Sequence, residues 1–260
     1  MATRGPVSIM LSVWKALFLR EASFRLFGTR GAWAWLLIEP LAHFAFLIFI
    51  FSVIRQRSVG GIPIETWLII GLFGFFIFRR TANQMGGAID SNRALFTYRQ
   101  VLPFDAIIVR GFLEAFIMMF ALFAVTFIMW LFGFQIVPDD PARFILAMFG
   151  LWSLGASLGL LIAIMGEVAS ESRNVLSIIM LPLYFMSAVI FPIMAVPPQY
   201  RVYLLYNPII HGLEAARSSF ATFYHAPPEI DLGYLYTWVL CFALAGLILY
   251  RTYSNRIVAQ

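Results

Sequence analysis

Six stretches of mostly apolar residues dominate this sequence and constrain its fold more than any other feature. A helix that crosses a membrane needs about 20 apolar residues, because the hydrocarbon core is about 30 Å thick. The six stretches are Trp33–Ile54, Pro63–Phe78, Ala115–Phe134, Phe144–Gly166, Val175–Val196 and Leu232–Tyr250. The sequence therefore predicts an all-α membrane protein with six transmembrane helices over residues 33–250.

The composition excludes a soluble protein. Of the 260 residues, 62% are hydrophobic and only 12% are charged, whereas soluble domains carry about 25% charged residues. So few charges cannot cover a water-facing surface of this size. The single cysteine, Cys241, allows no internal disulfide and lies among apolar neighbours.

Basic residues are distributed unevenly between the two sides of this six-span arrangement. Only five of the 18 lysines and arginines fall on the side opposite both termini. They are Arg55, Arg57, Arg143, Arg201 and Arg217. Because positively charged loops stay on the cytoplasmic side, both termini are predicted to be cytoplasmic. The same rule explains the basic composition better than nucleic-acid binding does.

The N-terminal segment, residues 1–32, is predicted to contain an amphipathic helix that lies in the membrane interface. Between Val7 and Phe18 the apolar residues share one helical face, with Lys15 on the other. Glu21 and Arg25 then fall on the apolar face and interrupt it. No cleavable signal peptide is recognisable, and residues 251–260 form a short cytoplasmic C-terminus.

The sequence lacks the motifs of common membrane enzymes and pumps. A P-loop needs a lysine beside a glycine-rich turn, and the only lysine, Lys15, has no glycine near it. The zinc motif H-E-x-x-H is absent as well. We therefore predict no catalytic, metal or cofactor site on this chain. The third to sixth spans also contain no charged residue or histidine, which disfavours an ion-coupled carrier.

The remaining hypothesis is a transporter whose energy comes from a partner. An ion-coupled carrier and an intramembrane enzyme or acyltransferase are the alternatives from other classes. Activity of the purified chain alone would favour the enzyme, and dependence on the proton gradient would favour the carrier.

Residues 83–102 join the second and third spans on the cytoplasmic side. Asp90 or Ser91 is predicted to cap a short helix whose apolar face contains Ala94, Leu95 and Tyr98. Such a helix suits docking to a soluble partner, and equally suits contact with the lipid surface.

Two further spacings predict contacts near the spans. Arg110 and Glu114 lie four residues apart at the cytoplasmic entry to the third span, which predicts an ion pair between them. A contact with substrate is the alternative. Gly155 and Gly159 form a G-x-x-x-G pattern that allows two helices to approach closely.

The stretch Ala195–Tyr224 is too polar to span a membrane and too apolar for a free loop. It is predicted to form two short helices that dip into the outer leaflet, separated by the turn at Asn207-Pro208. Tyrosines in this stretch can stack on sugar rings and also donate hydrogen bonds. An aromatic belt at the membrane interface is the alternative.

Several motifs resemble those of ABC-2 type export permeases. The C-terminal part carries four of them, which are Phe185-Met-Ser-Ala-Val-Ile-Phe191, Val196-Pro-Pro-Gln-Tyr200, Tyr206-Asn-Pro-Ile209 and His211-Gly-Leu-Glu-Ala-Ala-Arg217. Three other motifs resemble the capsular-polysaccharide branch of these permeases, the KpsM-like family, more closely. They are Arg30-Gly-Ala-Trp-Ala-Trp-Leu-Leu-Ile-Glu-Pro40, Asn92-Arg-Ala-Leu-Phe-Thr-Tyr-Arg-Gln-Val-Leu-Pro-Phe-Asp105 and Arg110-Gly-Phe-Leu-Glu114.

The resemblance implies the architecture and partners of such a permease. It implies an interface helix, six spans and re-entrant helices at residues 197–222. Two copies would pair around a channel in the bacterial inner membrane, and each would dock a soluble ATPase that binds ATP and magnesium. A lipid-linked polysaccharide would be the substrate, and a periplasm-spanning export protein a further partner. O-antigen, teichoic acid or a drug would be the substrate of other ABC-2 permeases.

The residue patterns and the resemblance together predict two groups of site residues. Those expected to couple to the ATPase are Asp90, Ser91, Asn92, Arg93 and Tyr98. Those expected along the substrate path or at a periplasmic gate are Tyr184, Phe185, Tyr200, Arg201, Tyr203 and Tyr206.

Overall fold

The computed structural model describes residues 5–28, 31–54, 58–98, 100–134, 136–169 and 171–259, and these form an almost entirely helical fold. The helices are α1 (Pro6–Phe27), α2 (Ala32–Ile54), α3 (Ile64–Gly86), α4 (Ala88–Asn92), α5 (Pro103–Leu131), α6 (Pro141–Val168), α7 (Glu171–Met186), α8 (Pro198–Leu205), α9 (Pro208–Ser218) and α10 (Leu232–Ala259). Short 3₁₀ turns cover Arg93–Thr97 and Ile193–Ala195. A hairpin pairs β1 (Ser58–Val59) with β2 (Ile62–Pro63) in antiparallel register.

Within the described residues, three helices are long and apolar enough to cross a membrane. They are α5, α6 and Leu232–Ser254 of α10, and a shorter apolar segment, Pro40–Phe51, lies in α2. Together with the scarcity of charged residues, these helices identify a multi-pass membrane protein.

Helix α3 lies at the centre of the fold. Its side chains are buried without interruption over residues 66–78, including Trp67, Phe73 and Phe75. A helix that is apolar on every side belongs in the interior. Helices α6, α5, α9 and α2 pack around it.

The predicted close approach through Gly155 and Gly159 occurs between α6 and α3. A Cβ atom added at Gly155 would lie 2.4 Å from the carbonyl oxygen of Phe78. One added at Gly159 would lie 2.7 Å from Cβ of Met85. The absence of side chains at both positions therefore lets the two backbones touch.

The fold has two ends that differ in composition. The arginine-rich end contains α1, α4, the C-terminal ends of α3 and α6, and the N-terminal ends of α5 and α7. The hairpin end contains the β-hairpin, α8 and α9. It also contains the N-terminal ends of α3 and α6 and the C-terminal ends of α5 and α7.

Three helices extend by eight or more residues beyond the predicted spans. Helix α3 continues past Arg79 and Arg80 to Gly86, and α5 begins at Pro103 rather than near Ala115. The arginines do not end α3, because the guanidinium of Arg79 lies 4.8 Å from the centre of the Phe76 ring and Arg80 pairs with a glutamate of α5. Helix α10 likewise continues to Ala259, through the segment predicted as a C-terminal tail.

The fifth span, predicted over Val175–Val196, is shorter as a helix and ends at Met186. The chain then turns sharply, and Ala188 adopts a positive φ of 54°. Carbonyl groups in this turn accept hydrogen bonds from Arg217. These buried carbonyls therefore have hydrogen-bond partners although the helix has ended.

Helix α1 continues beyond the point where its apolar face is interrupted. Leu17 and Glu21 are both buried, and the carboxylate of Glu21 is paired with arginines. The predicted pair of short helices around Asn207-Pro208 is confirmed as α8 and α9. The side chain of Asn207 caps α9 by accepting a hydrogen bond from the backbone N–H of Ile209 at 3.0 Å.

The predicted cap of the short helix in residues 83–102 is wrong. Helix α4 begins at Ala88, directly after the turn at Gly87, so Asp90 and Ser91 lie inside it. The hydroxyl of Ser91 donates to the carbonyl of Gly87 at 3.0 Å. The prediction failed because α3 extends to Gly86 and leaves no loop in which Asp90 could act as a cap.

We expect Gly155→Ala to lower the free energy of unfolding by about 1–3 kcal/mol, because the added methyl group is forced against the α3 backbone. Unfolding by SDS titration in mixed micelles measures this change. Gly87→Ala is the control, since its Cβ would have no neighbour closer than 3.9 Å. Equal stability of the two variants would contradict the close contact between α3 and α6.

Candidate functional site

Five charged side chains meet at the arginine-rich end and join α1, α3 and α5. Each side chain is at most 12% exposed, so water screens their interactions only weakly. We call them the buried charge cluster, and its members are Glu21, Arg25, Arg80, Arg110 and Glu114.

Arg110 connects α5 to both α1 and α3. Its Nε donates to Oε1 of Glu21 at 2.7 Å. Its Nη1 donates to the carbonyl oxygens of Gln84 at 3.3 Å and Gly87 at 3.1 Å. These carbonyls lie at the C-terminal end of α3. A positive charge is stabilised at this position by the helix dipole.

Glu114 is fully buried and accepts hydrogen bonds from arginines of two other helices. Arg25 of α1 bonds to its Oε1, and Nε of Arg80 lies 3.3 Å from its Oε2. The predicted direct pair between Arg110 and Glu114 is therefore wrong. Both residues lie at the start of the α5 apolar segment, but α1 supplies the partners that neutralise them.

The charges of this cluster alter the pKa of two groups on α1. Burial alone would raise the pKa of Glu21, but Arg110, Arg25 and Asn92 more than compensate and hold it below its usual value. Burial, reinforced by the charge of Arg110, lowers the pKa of Arg25 to about 10. Both groups are therefore charged at neutral pH, and their ion pairs persist there.

Helix α1 is tied to the rest of the fold by two more hydrogen bonds. Nε1 of Trp14 donates to Oδ1 of Asp105 at 2.8 Å, and Arg20 donates to the side chain of Asn92. The other oxygen of Asp105 accepts from the backbone N–H of Leu102 at 3.0 Å, which fixes the start of α5. The predicted interface helix is thus anchored through polar contacts to α4 and α5.

The residues predicted to couple to an ATPase do not share one surface. Asp90, Ser91, Arg93 and Tyr98 are exposed, and Tyr98 is 66% exposed. Asn92 is only 2% exposed, because its amide donates to the Ala88 carbonyl and to Glu21. Asn92 therefore holds α4 against α1 and does not face outward.

A second group of charges links α4 to the connection between α6 and α7. We call this group the α4–α7 ionic cluster, and its members are Asp90, Arg93, Glu167 and Arg173. Nη2 of Arg93 lies 2.9 Å from Asp90 and 2.8 Å from Glu167. Arg173 pairs with Asp90 and lies 3.3 Å from Glu167. The sequence analysis missed Glu167 and Arg173, because no local spacing relates them to residues of α4.

At the hairpin end, the predicted substrate-path residues divide into a buried member and exposed members. Tyr184 is buried, and its hydroxyl forms a 2.9 Å hydrogen bond with Nε2 of His43. Arg201 donates to the carbonyl oxygens of Met194 and Val196 and so fixes the turn before α8. The exposed members are Phe185, Tyr200, Tyr203 and Tyr206.

Arg217, which the sequence analysis counted among the basic residues on the side opposite the termini, is fully buried at the hairpin end. Its guanidinium donates to the carbonyls of Ala188 and Val189 and to Glu214, and lies 3.5 Å from the centre of the Trp67 ring. Tyr224 donates to the other oxygen of Glu214 at 2.8 Å. The three-residue spacing of Glu214 and Arg217 within an apolar helix could have revealed this pair.

These clusters can hold helices together but offer no evident reaction chemistry. Within the described parts of the chain, no group of three or more histidine, cysteine, aspartate or glutamate residues is placed to hold a metal ion. The carboxylates of both clusters at the arginine-rich end instead face guanidinium groups.

Comparison with known families gives a match over most of the chain. The family described as ABC-2 type transporter matches residues 12–221. The match begins within α1 and continues past α9, so it includes the members of both ionic clusters and the buried Arg217.

The chain is also similar to bacterial proteins that are described as transport or export proteins. Polysialic acid transport protein KpsM of Escherichia coli is 36% identical over 238 residues, covering 92% of each chain. Capsule polysaccharide export inner-membrane protein CtrC of Neisseria meningitidis is 26% identical, covering 94% of this chain and 92% of CtrC. The protein of the same description from Haemophilus influenzae, BexB, is 26% identical, covering 98% of this chain and 96% of BexB.

We expect Glu114→Gln to lower the free energy of unfolding by about 3 kcal/mol, because Arg25 and Arg80 would then face a neutral amide in a buried site. Docking of α1 should weaken too, and trypsin should cleave it faster. SDS titration and limited proteolysis measure these effects. Glu229→Gln, at an exposed position, is the control. If the two variants unfold alike, Glu114 does not anchor α1.

Proposed function

Because the chain belongs to the ABC-2 type transporter family, we propose that it is the membrane subunit of an ATP-driven exporter of lipid-linked capsular polysaccharide. The polymer moves from the cytoplasm across the inner membrane. The observation that carries this proposal is the 36% identity to polysialic acid transport protein KpsM over 92% of both chains. The names of CtrC and BexB support the same substrate class.

In the proposed topology, α2, α3, α5, α6, α7 and α10 are the six spans. The arginine-rich end faces the cytoplasm, so both termini lie there. Helix α7 has 16 residues, which is only about 24 Å of helix. The buried turn at Ala188 and Val189 continues this span toward the periplasm. Helices α8 and α9 are the re-entrant pair.

In this proposal the energy comes from a soluble ATPase, which binds ATP and magnesium. Two copies of the chain pair around the polysaccharide, and each copy docks one ATPase subunit. Residues 90–98 provide the docking surface. The support for this location is the exposure of Asp90, Arg93 and Tyr98 beside the anchored helix α4.

The proposed transport step is a rigid movement that begins at the docking surface. Closure of the ATPase subunits on ATP pushes α4, which contacts α5 and is bonded to α1 through Asn92. Helices α2, α3 and α7 then tilt and open a path between the two copies. Exposed tyrosines of α8 support sugar binding at the outer end, because aromatic rings stack on the apolar faces of sugars.

Genetic complementation tests the substrate class. We expect the chain, produced with its ATPase in a capsule-forming bacterium that lacks its own permease, to restore polysaccharide at the cell surface. Antibody staining and fractionation measure surface and cytoplasmic polymer. If capsule polymer stays inside while O-antigen or teichoic acid is exported, the substrate assignment is overturned.

Co-purification tests the docking surface. We expect the double change Asp90→Arg with Arg93→Asp to reduce the recovered ATPase at least tenfold, because a complementary surface would meet reversed charges. Arg143→Asp, a charge reversal at the exposed start of α6, is the control. Unchanged recovery of the ATPase with the double variant would contradict this site.

A further inference from the structure

The α4–α7 ionic cluster provides a direct connection between two segments that lie far apart in the chain. Glu167 lies in the last turn of α6, and Arg173 lies in the first turn of α7. Each contacts the α4 region, because Arg93 bonds to Glu167 and Arg173 bonds to Asp90. Movement of α4 therefore acts on the start of α7 without passing through α5 and most of α6.

The local structure holds Arg173 in place for this contact. Its Nη2 donates to the carbonyl of Gly166 at 2.9 Å. A Cβ atom at Gly166 would lie 2.3 Å from Nε of Arg173, so the guanidinium occupies the space that any other residue would fill. The side chain of Glu167 is only 4% exposed and has two arginine partners.

The side chains of the α4–α7 ionic cluster are unequally exposed, which suits a contact that changes during the transport cycle. The side chains of Asp90 and Arg93 are 43% and 41% exposed, whereas that of Glu167 is almost buried. Exposed ion pairs contribute little stability and exchange readily with water. The α4 side can thus separate from Glu167 and Arg173, while their own pair stays beside the buried end of α6.

We propose that Glu167 and Arg173 are positioning residues that transmit the movement of the docking segment to α7. This inference rests on the proposed function, because it assumes that closure of the ATPase subunits on ATP pushes residues 90–98. It adds a second route beside the hydrogen bonds of Asn92 with Arg20 and Glu21, which connect α4 to α1. The two routes together would move the interface helix and α7 at the same time.

The test uses the permease–ATPase complex in proteoliposomes and measures polysaccharide exported per ATP hydrolysed. The variant Glu167→Arg with Arg173→Glu keeps the pair within the α6–α7 connection but reverses both contacts with α4. We expect at least a tenfold loss of export per ATP. Basal hydrolysis and ATPase recovery should stay within twofold of the parent complex. Glu171→Gln, an exposed charge change on the same turn of α7, is the control and should export normally.

A second variant distinguishes a loss of coupling from a loss of export that is caused by misfolding. Gly166→Ala keeps every charge and favours the helix, but its methyl group displaces the Arg173 guanidinium. We expect unchanged or higher thermal stability of the complex together with at least a threefold loss of export per ATP. A purely structural role would instead lower stability and leave the ratio of export to hydrolysis unchanged.

The outcomes separate this inference from the proposed function. If the parent complex exports no capsular polysaccharide, the proposed function fails. If the parent exports and both variants match it in export per ATP, the inference is overturned and the function stands. Loss of the ATPase from the Glu167→Arg/Arg173→Glu variant would also overturn it, because the pair would then belong to the docking surface.

Discussion

The neutralisation of buried arginines is the interaction on which the rest of this structure depends. An isolated charge in a low-dielectric interior costs several kcal/mol, so each arginine must lie where carboxylates or carbonyls surround it. Arg217 meets this requirement at one end of α3, where it stacks on Trp67 and bonds to the turn after α7. Arg110 meets it at the other end, where it bonds to Glu21 and to the last carbonyls of α3. The central helix is thus fixed at both ends by charges.

This arrangement divides the molecule into a rigid interior and adjustable contacts. Along α3 the backbone of α6 approaches so closely at Gly155 that no side chain fits, which restricts sliding between the two helices. The contact between α4 and α7 depends on half-exposed ion pairs, which water can replace at little cost. The proposed transport subunit needs both properties, because its interior must keep the membrane sealed while the proposed docking surface moves.

Sequence patterns predicted some elements well and others poorly, and the difference has a physical basis. The limits of α2 and α6 follow the apolar runs closely, since both runs end at polar or turn-forming residues. The limits of α3 and α5 were misplaced, because Arg80 and Glu114 are paired with each other across the helices and so do not end them. Local spacing also suggested a pair between Arg110 and Glu114. Their actual partners, Glu21 and Arg25, precede them by about ninety residues, beyond the reach of any local pattern.

By itself the sequence determined the membrane environment, the helical class and the family resemblance, because these depend on composition, on the length of apolar runs and on motif order. It also located the segment around Asp90 and the two short helices beside Asn207. Only the tertiary structure decided which charges meet. It turned Asn92 inward, buried Arg217 and brought Glu167 and Arg173 to α4. The physical reason is that a charge inside a protein takes the nearest partner in space, and that neighbour is set by how the helices pack.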